Sequence, residues 1–233
     1  MFITRKNIYI AEAIGTFALV FAGCGAIVVN DLFGAPLGHT GISMVFGLIV
    51  MAMIYSIGNI SGAHINPAVT LGFFFAGRIQ KEEILPYISS QLIGAVLAAG
   101  LLKLLFNSHE SLGATLPTGG IVNAFVFEIV LSFFLMFVIL NVSTGHMEKG
   151  IMAGVAIGGT VTLEALMGGP VSGASMNPAR SLGPALVSGN LSTLWIYLTA
   201  PIIGTWLARP TCRMIQGNEC CHVEDSADLP NSN

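Results

Sequence analysis

Charge is scarce in this chain. Asp, Glu, Lys and Arg make up 9% of its 233 residues, against roughly 25% in a soluble domain. With 54% hydrophobic residues and a mean hydropathy of +0.79, a water-soluble fold is excluded. No basic patch is present, so nucleic acid is not an expected partner. The net charge of −3 says little more, because Glu224, Asp225 and Asp228 sit together near the C-terminus. No nucleophile and base stand out as a catalytic pair, and no cofactor is implied. Apart from Glu164, no unassigned Asp, Glu or His lies deep in an apolar run, so the coupling-ion ligands that an inverted-repeat secondary transporter needs are missing.

Disulfides are not expected either. Cys24 lies inside an apolar run, and Cys212, Cys220 and Cys221 fall on the side read below as cytoplasmic, where thiols stay reduced. Cys220-Cys221-His222 has the softness to bind a thiophilic metal or a trivalent arsenical, but the expected reading is a loose polar tail with incidental thiols. Residues 214–233 lack apolar periodicity and are expected to be disordered.

What the chain does have is long apolar runs, at about 8–29, 40–59, 84–106, 121–142, 150–168 and 193–212. Six spans of roughly 20 residues fit this length, which gives one membrane domain, 1–213, in two halves, 1–110 and 111–213. Two shorter runs remain, about 67–77 and 178–188, each half the length needed to cross. Both follow the same frame, Ser-Gly-Ala-x-x-Asn-Pro-Ala-x-x-Leu-Gly, which runs from Ser61 to Gly72 and again from Ser172 to Gly183. Short segments at corresponding places in two halves point to re-entrant half-helices that meet at the midplane. Three spans per half make the second half inverted, so the half-helices enter from opposite faces.

Lysine and arginine are missing from 30–39 and 107–120, whereas Arg5, Lys6, Arg78, Lys81, Lys149 and Arg213 fall on the termini and alternate loops. Both termini are therefore expected to be cytoplasmic. Lys103 is the exception, near the outer end of its span, where it can snorkel.

Asn-Pro-Ala opens a helix for a physical reason. Asn is a preferred N-cap, its side-chain oxygen accepting a free N–H of the first turn, and Pro is tolerated next because its missing N–H would be unpaired anyway. The cap leaves the amide NH2 of Asn66 and of Asn177 as an outward donor. Two such ends at the bilayer centre bring together two donors and two positive dipole ends, each equivalent to about half a charge.

Ala11-Glu12-Ala13-x-Gly15-Thr16-Phe17, the stretch from Ser61 to Thr70 and Asn177-Pro178-Ala179-Arg180-Ser181 together resemble the major intrinsic protein family, the aquaporins and aquaglyceroporins, over about residues 8–212. The resemblance implies an all-α hourglass fold with six tilted spans and two re-entrant half-helices. It also implies one passive pore per subunit, a homotetramer and a multi-pass protein of the plasma membrane. The pore motifs are Asn66, Pro67, Ala68, Asn177, Pro178 and Ala179. Carbonyls of Gly62 to Ile65 and of Gly173 to Met176 would line one wall.

Glu12 and Glu128 match family glutamates that hold the re-entrant loops from behind. His64 matches a loop-orienting histidine and is not expected to bind metal, since no second ligand has suitable spacing. Glu164 matches nothing in the family; a subunit interface, a protonated buried site and a pore contact all stay open for it. Counting from the motifs puts the selectivity filter at Phe46, Ala165, Ala174 and Arg180, where two small residues widen a ring that usually carries His in water-selective members.

The stretch from Gly169 to Pro178 resembles nodulin-26-like intrinsic proteins, which implies water and small neutral solutes such as glycerol and boric or arsenous acid. Ser181, where bacterial glycerol facilitators carry Asp, and Ala185 keep a strictly water-selective channel as the alternative.

Overall fold

A computed structural model of the chain describes residues 3–143 and 147–217, the side chains of 147–150 excepted. It contains eight helices: α1 (Arg5–Leu32), α2 (Gly38–Ser61), α3 (Pro67–Phe75), α4 (Lys81–Leu105), α5 (Ile121–Val142), α6 (Met147–Ser172), α7 (Pro178–Ser188) and α8 (Leu194–Gln216). There is no strand among the described residues. Among the described residues, five helices are long and apolar enough to cross a membrane. The sixth long helix, α8, has the length, but Thr199, Pro201, Thr205, Arg209 and Pro210 dilute its apolar character. It packs along α5 as α4 packs along α1.

That pairing is one instance of an inverted repeat. Mapping α1–α4 onto α5–α8 turns the contact of α1 with α2 into that of α5 with α6, and the contact of α4 with α7 into that of α8 with α3. The pairs α2–α6 and α3–α7 map onto themselves, so they lie on the pseudo-twofold axis. Close packing at equivalent glycines holds the halves. A Cβ on Gly94 would stand 2.2 Å from the Ala13 carbonyl oxygen, and one on Gly204 would stand 2.3 Å from that of Ile129. Small residues let membrane helices approach this closely. The outer surface is apolar in turn, with Leu85, Leu97, Leu104, Val122 and Leu163 exposed.

Sequence and structure part company at two helix ends. The fifth span continues past 168 through Pro170 to Ser172. Proline within a helix frees the carbonyl four residues earlier, here that of Leu166, and His39 Nε2 lies 2.8 Å from that oxygen. The last span runs past 213 to Gln216, whose side-chain amide donates to Asn141 Oδ1 at 2.6 Å and ties the end of α8 to α5. Cys24 is a buried free thiol. Cys212, however, is disulfide-bonded; compartment alone had suggested a reduced thiol. Cys220, Cys221 and His222 lie outside the described residues.

Candidate functional site

Each half-helix starts as its Asn cap dictates. Asn66 Oδ1 accepts from the N–H groups of Ala68 (2.8 Å) and Val69 (3.4 Å), with Pro67 in the first turn. Asn177 Oδ1 accepts from Ala179 (3.0 Å) and Arg180 (3.3 Å), followed by Pro178. The amide nitrogens do something the sequence did not foretell. Asn66 Nδ2 donates to the Met176 carbonyl at 2.8 Å, and Asn177 Nδ2 donates to the Ile65 carbonyl at 2.9 Å. One hydrogen of each NH2 therefore staples the opposite half, and one is left for the lumen.

The loops before the caps are strained in matching ways. Gly62, Ala63 and Ile65 have φ of +82°, +48° and +43°, and Gly173, Ala174 and Met176 have φ of +84°, +41° and +54°. Non-glycine residues hold such angles only where the surroundings over-determine them. Glu12 and Glu128 provide this. Glu12 Oε1 accepts from the Ser61 hydroxyl (2.7 Å) and the His64 N–H (2.9 Å), while Oε2 accepts from the Ile65 N–H (2.7 Å) and the Gln91 amide (2.8 Å). Glu128 accepts from the Ser172 hydroxyl (2.7 Å), the Ser175 N–H (2.8 Å) and the Met176 N–H (2.8 Å). Both glutamates are fully buried. Tyr87 and Tyr197 repeat the theme, donating to the carbonyls of Ser61 (2.9 Å) and Ser172 (2.6 Å).

His64 packs its ring 4.6 Å from that of Phe73 and 4.8 Å from that of Tyr87, with Nδ1 3.2 Å from Thr70 Oγ1. These contacts make it a wedge for its loop. In the other half Ser175 and Ser181 occupy the corresponding positions, with hydroxyls 2.5 Å apart.

A cavity of about 890 Å³ runs between the halves. Its lining goes from Arg78, Ser143 and Ile151 at the end that carries the termini, through Asn66 and Asn177, to Phe46, Ala165, Ala174 and Arg180. The four residues counted from the motifs thus meet around one lumen. Arg180 is 2% exposed, donates from Nη1 to the Gly113 carbonyl at 2.8 Å, and holds its guanidinium carbon 5.0 Å from the centre of the Phe46 ring. Aliphatic side chains such as Val50, Ile157 and Val161 form the opposite wall.

Two half-helices thus border one lumen with paired asparagine caps, each loop hung from a buried glutamate. A model of the family described as "Major intrinsic protein" matches residues 3–210. The chain belongs to the major intrinsic protein family. Among its relatives, "Aquaporin NIP1-1" of Zea mays is 50% identical over 196 residues, covering 84% of this chain and 70% of the relative. "Nodulin-26" of Glycine max is 48% identical over 196 residues, covering 84% and 72%. The solved structure of the aquaglyceroporin from Plasmodium falciparum superposes with a TM-score of 0.77 at 24% identity, covering 92% of this chain and 96% of that one. As a major intrinsic protein the chain is an integral membrane channel, not an enzyme.

Sequence reasoning missed several supporting residues. Gln91, Thr115, Tyr87 and Tyr197 each bond to the motif loops or their immediate neighbours. Tyr87 and Tyr197 were detectable, since they follow the repeated frame at spacings that differ by a single residue. Glu164 is buried and does not line the cavity, and both its oxygens lack a partner among the described residues.

Proposed function

We propose that this major intrinsic protein conducts water together with small uncharged solutes, glycerol and neutral metalloid acids such as boric and arsenous acid, and excludes protons and ions. The observation that carries the reading is the pair of alanines at the filter. Ala165 and Ala174 border the lumen beside Phe46 and Arg180, so two sides of the ring offer a methyl group where a larger polar side chain would narrow it. Selectivity in such pores comes from diameter, lining donors and acceptors, and the positive ends of half-helices. A polyol or a B(OH)3-like solute can place its apolar or flat side against Phe46 and its hydroxyls toward Arg180 and the loop carbonyls.

Further along, the remaining N–H hydrogens of Asn66 and Asn177 meet a water or hydroxyl oxygen from two directions. A cation there would face Arg180 and two dipole ends while losing its hydration shell. Assembly is proposed as a homotetramer in the plasma membrane with cytoplasmic termini. A strictly water-selective pore is the second reading, favoured by Ser181 after the filter arginine.

Stopped-flow swelling of proteoliposomes with water, glycerol, urea, boric acid and arsenous acid separates the two. Passage of glycerol and boric acid that falls steeply in Ala165→His/Ala174→Thr, with water flux largely kept, is the expected result. Rapid water flux with all four solutes excluded by the unmodified protein would replace the wide filter by the strict one.

A further inference from the structure

The link between α4 and α5 carries an arrangement that the pore motifs do not explain. His109 lies at the face opposite the termini with its side chain only 8% exposed. Its Nε2 is 3.1 Å from Asp31 Oδ2, and its Nδ1 accepts from the Leu112 backbone N–H at 2.9 Å. A backbone N–H can only donate, so Nδ1 must be bare and the proton must sit on Nε2, facing Asp31. This fixes one tautomer of a neutral ring.

The backbone that His109 holds is the one that reaches the filter. Leu112 has φ of +52° and Gly113 of +71°, an angle costly for leucine. Gly113 also presses on α1, where a Cβ would come 2.9 Å from the Cys24 carbonyl oxygen. This turn presents the Gly113 carbonyl to Arg180, the single hydrogen-bond acceptor for that guanidinium among the described residues.

We propose that His109 is a positioning residue for the filter arginine: through Leu112 it sets the turn that hands the Gly113 carbonyl to Arg180. The proposal rests on reading Arg180 as part of the filter. A second proton on His109 puts an Nδ1–H where the Leu112 N–H already points. Two donors then face each other and the turn must open. The charges around the ring are Asp31 from α1, Glu110 beside it, Lys103 from the end of α4, which donates to the Asn107 carbonyl at 2.8 Å, and Arg180 from α7. Released by Gly113, the guanidinium has Phe46 on one flank and the lumen beside Ala165 and Ala174 on the other, so it moves inward and narrows the opening. Acid therefore selects against larger solutes before it affects water.

The test compares glycerol and water permeability in proteoliposomes equilibrated at about pH 7.5 and about pH 5. For the unmodified protein the glycerol-to-water ratio should fall about tenfold to a hundredfold at the lower pH, the scale of losing one hydrogen bond to a charged group. His109→Asn, whose side-chain oxygen can replace Nδ1 as acceptor but takes no proton, should keep the neutral-pH ratio at both values. His109→Ala should show the low ratio throughout. Amide hydrogen exchange at Leu112 gives a readout independent of solute: at about pH 5 it should be faster in the unmodified protein than in His109→Asn.

An acid response that survives in His109→Asn, while Arg180→Ala changes the ratio, overturns this proposal and leaves the filter reading standing. A ratio unmoved by Arg180→Ala overturns both.

Discussion

Replacing each loop-holding glutamate by glutamine perturbs the two halves unequally, and the difference can be worked out bond by bond. Gln offers one acceptor oxygen and one NH2 donor where Glu offers two acceptors. In Glu128→Gln, oxygen in the Oε1 place keeps the Ser172 and Ser175 donors, and the NH2 then faces only the Met176 N–H. In Glu12→Gln the same orientation keeps Ser61 and His64, but the NH2 faces both the Ile65 N–H and the Gln91 amide.

Gln91 can turn its own oxygen inward, since that atom lacks a partner among the described residues. Its NH2 then occupies the partnerless place, so one more buried polar group is unpaired either way. At about 1–3 kcal/mol for each such group, Glu128→Gln should cost about 1–3 kcal/mol and Glu12→Gln about 2–6 kcal/mol. Thermal denaturation of the purified channel, with water permeability per folded protein alongside, measures both. Adding Gln91→Leu to Glu12→Gln removes the opposing donor, so the double variant should lose less than the sum of the single ones. An equal or larger loss for Glu128→Gln, or strict additivity of the double variant, would refute the reasoning.

In Gly94→Ala the new methyl meets the Ala13 carbonyl at 2.2 Å, so α1 and α4 must separate; a destabilisation of about 1–3 kcal/mol should appear as a lower thermal midpoint. Asn66→Asp and Asn177→Asp each turn an N–H···O=C staple across the midplane into two facing acceptors, and either should reduce water permeability at equal membrane abundance; unchanged flux in both variants would remove the asparagines from the mechanism. Ala174→Cys should make conduction sensitive to mercurials, whereas Cys24, fully buried, should leave the unmodified protein resistant in the same swelling assay.

Much of this fold is written in local chemistry that a single sequence displays. The half-helices begin at Asn66 and Asn177 because cap and first-turn proline are properties of adjacent residues, and the structure starts them there. The role of the loop glutamates was readable for a different reason: the resemblance to the family implied it, and a carboxyl deep in an apolar run is costly unless it has partners. The staples between Asn66 and Met176, and between Asn177 and Ile65, were not readable. They depend on how two chain segments about 110 residues apart face each other, which no local rule fixes. Helix α6 outran its expected end because His39, on another helix, satisfies the carbonyl that Pro170 frees. Glu164 stays without a physical account, buried and without a partner among the described residues, one residue before a proposed filter position.

The two halves also show where selectivity must come from. Gly62 matches Gly173, Glu12 matches Glu128, Tyr87 matches Tyr197 and Gly94 matches Gly204, and these positions cap, hang or pack the scaffold. A pore built from them alone would look the same from either membrane face, with no site to tell one solute from another beyond its width. The match fails at a few lumen positions. Val69 borders the cavity where the other half has Arg180, and His64 borders it where the other half has Ser175. Arg180 puts a buried charge at one end of the lumen, and that end is closed by Phe46 and widened by two alanines. Arg180 is held there by the Gly113 carbonyl, whereas Val69 has no side-chain donor to be held by. The proposed filter is therefore the place where the duplication has been broken, and its geometry depends on residues outside the repeated frames.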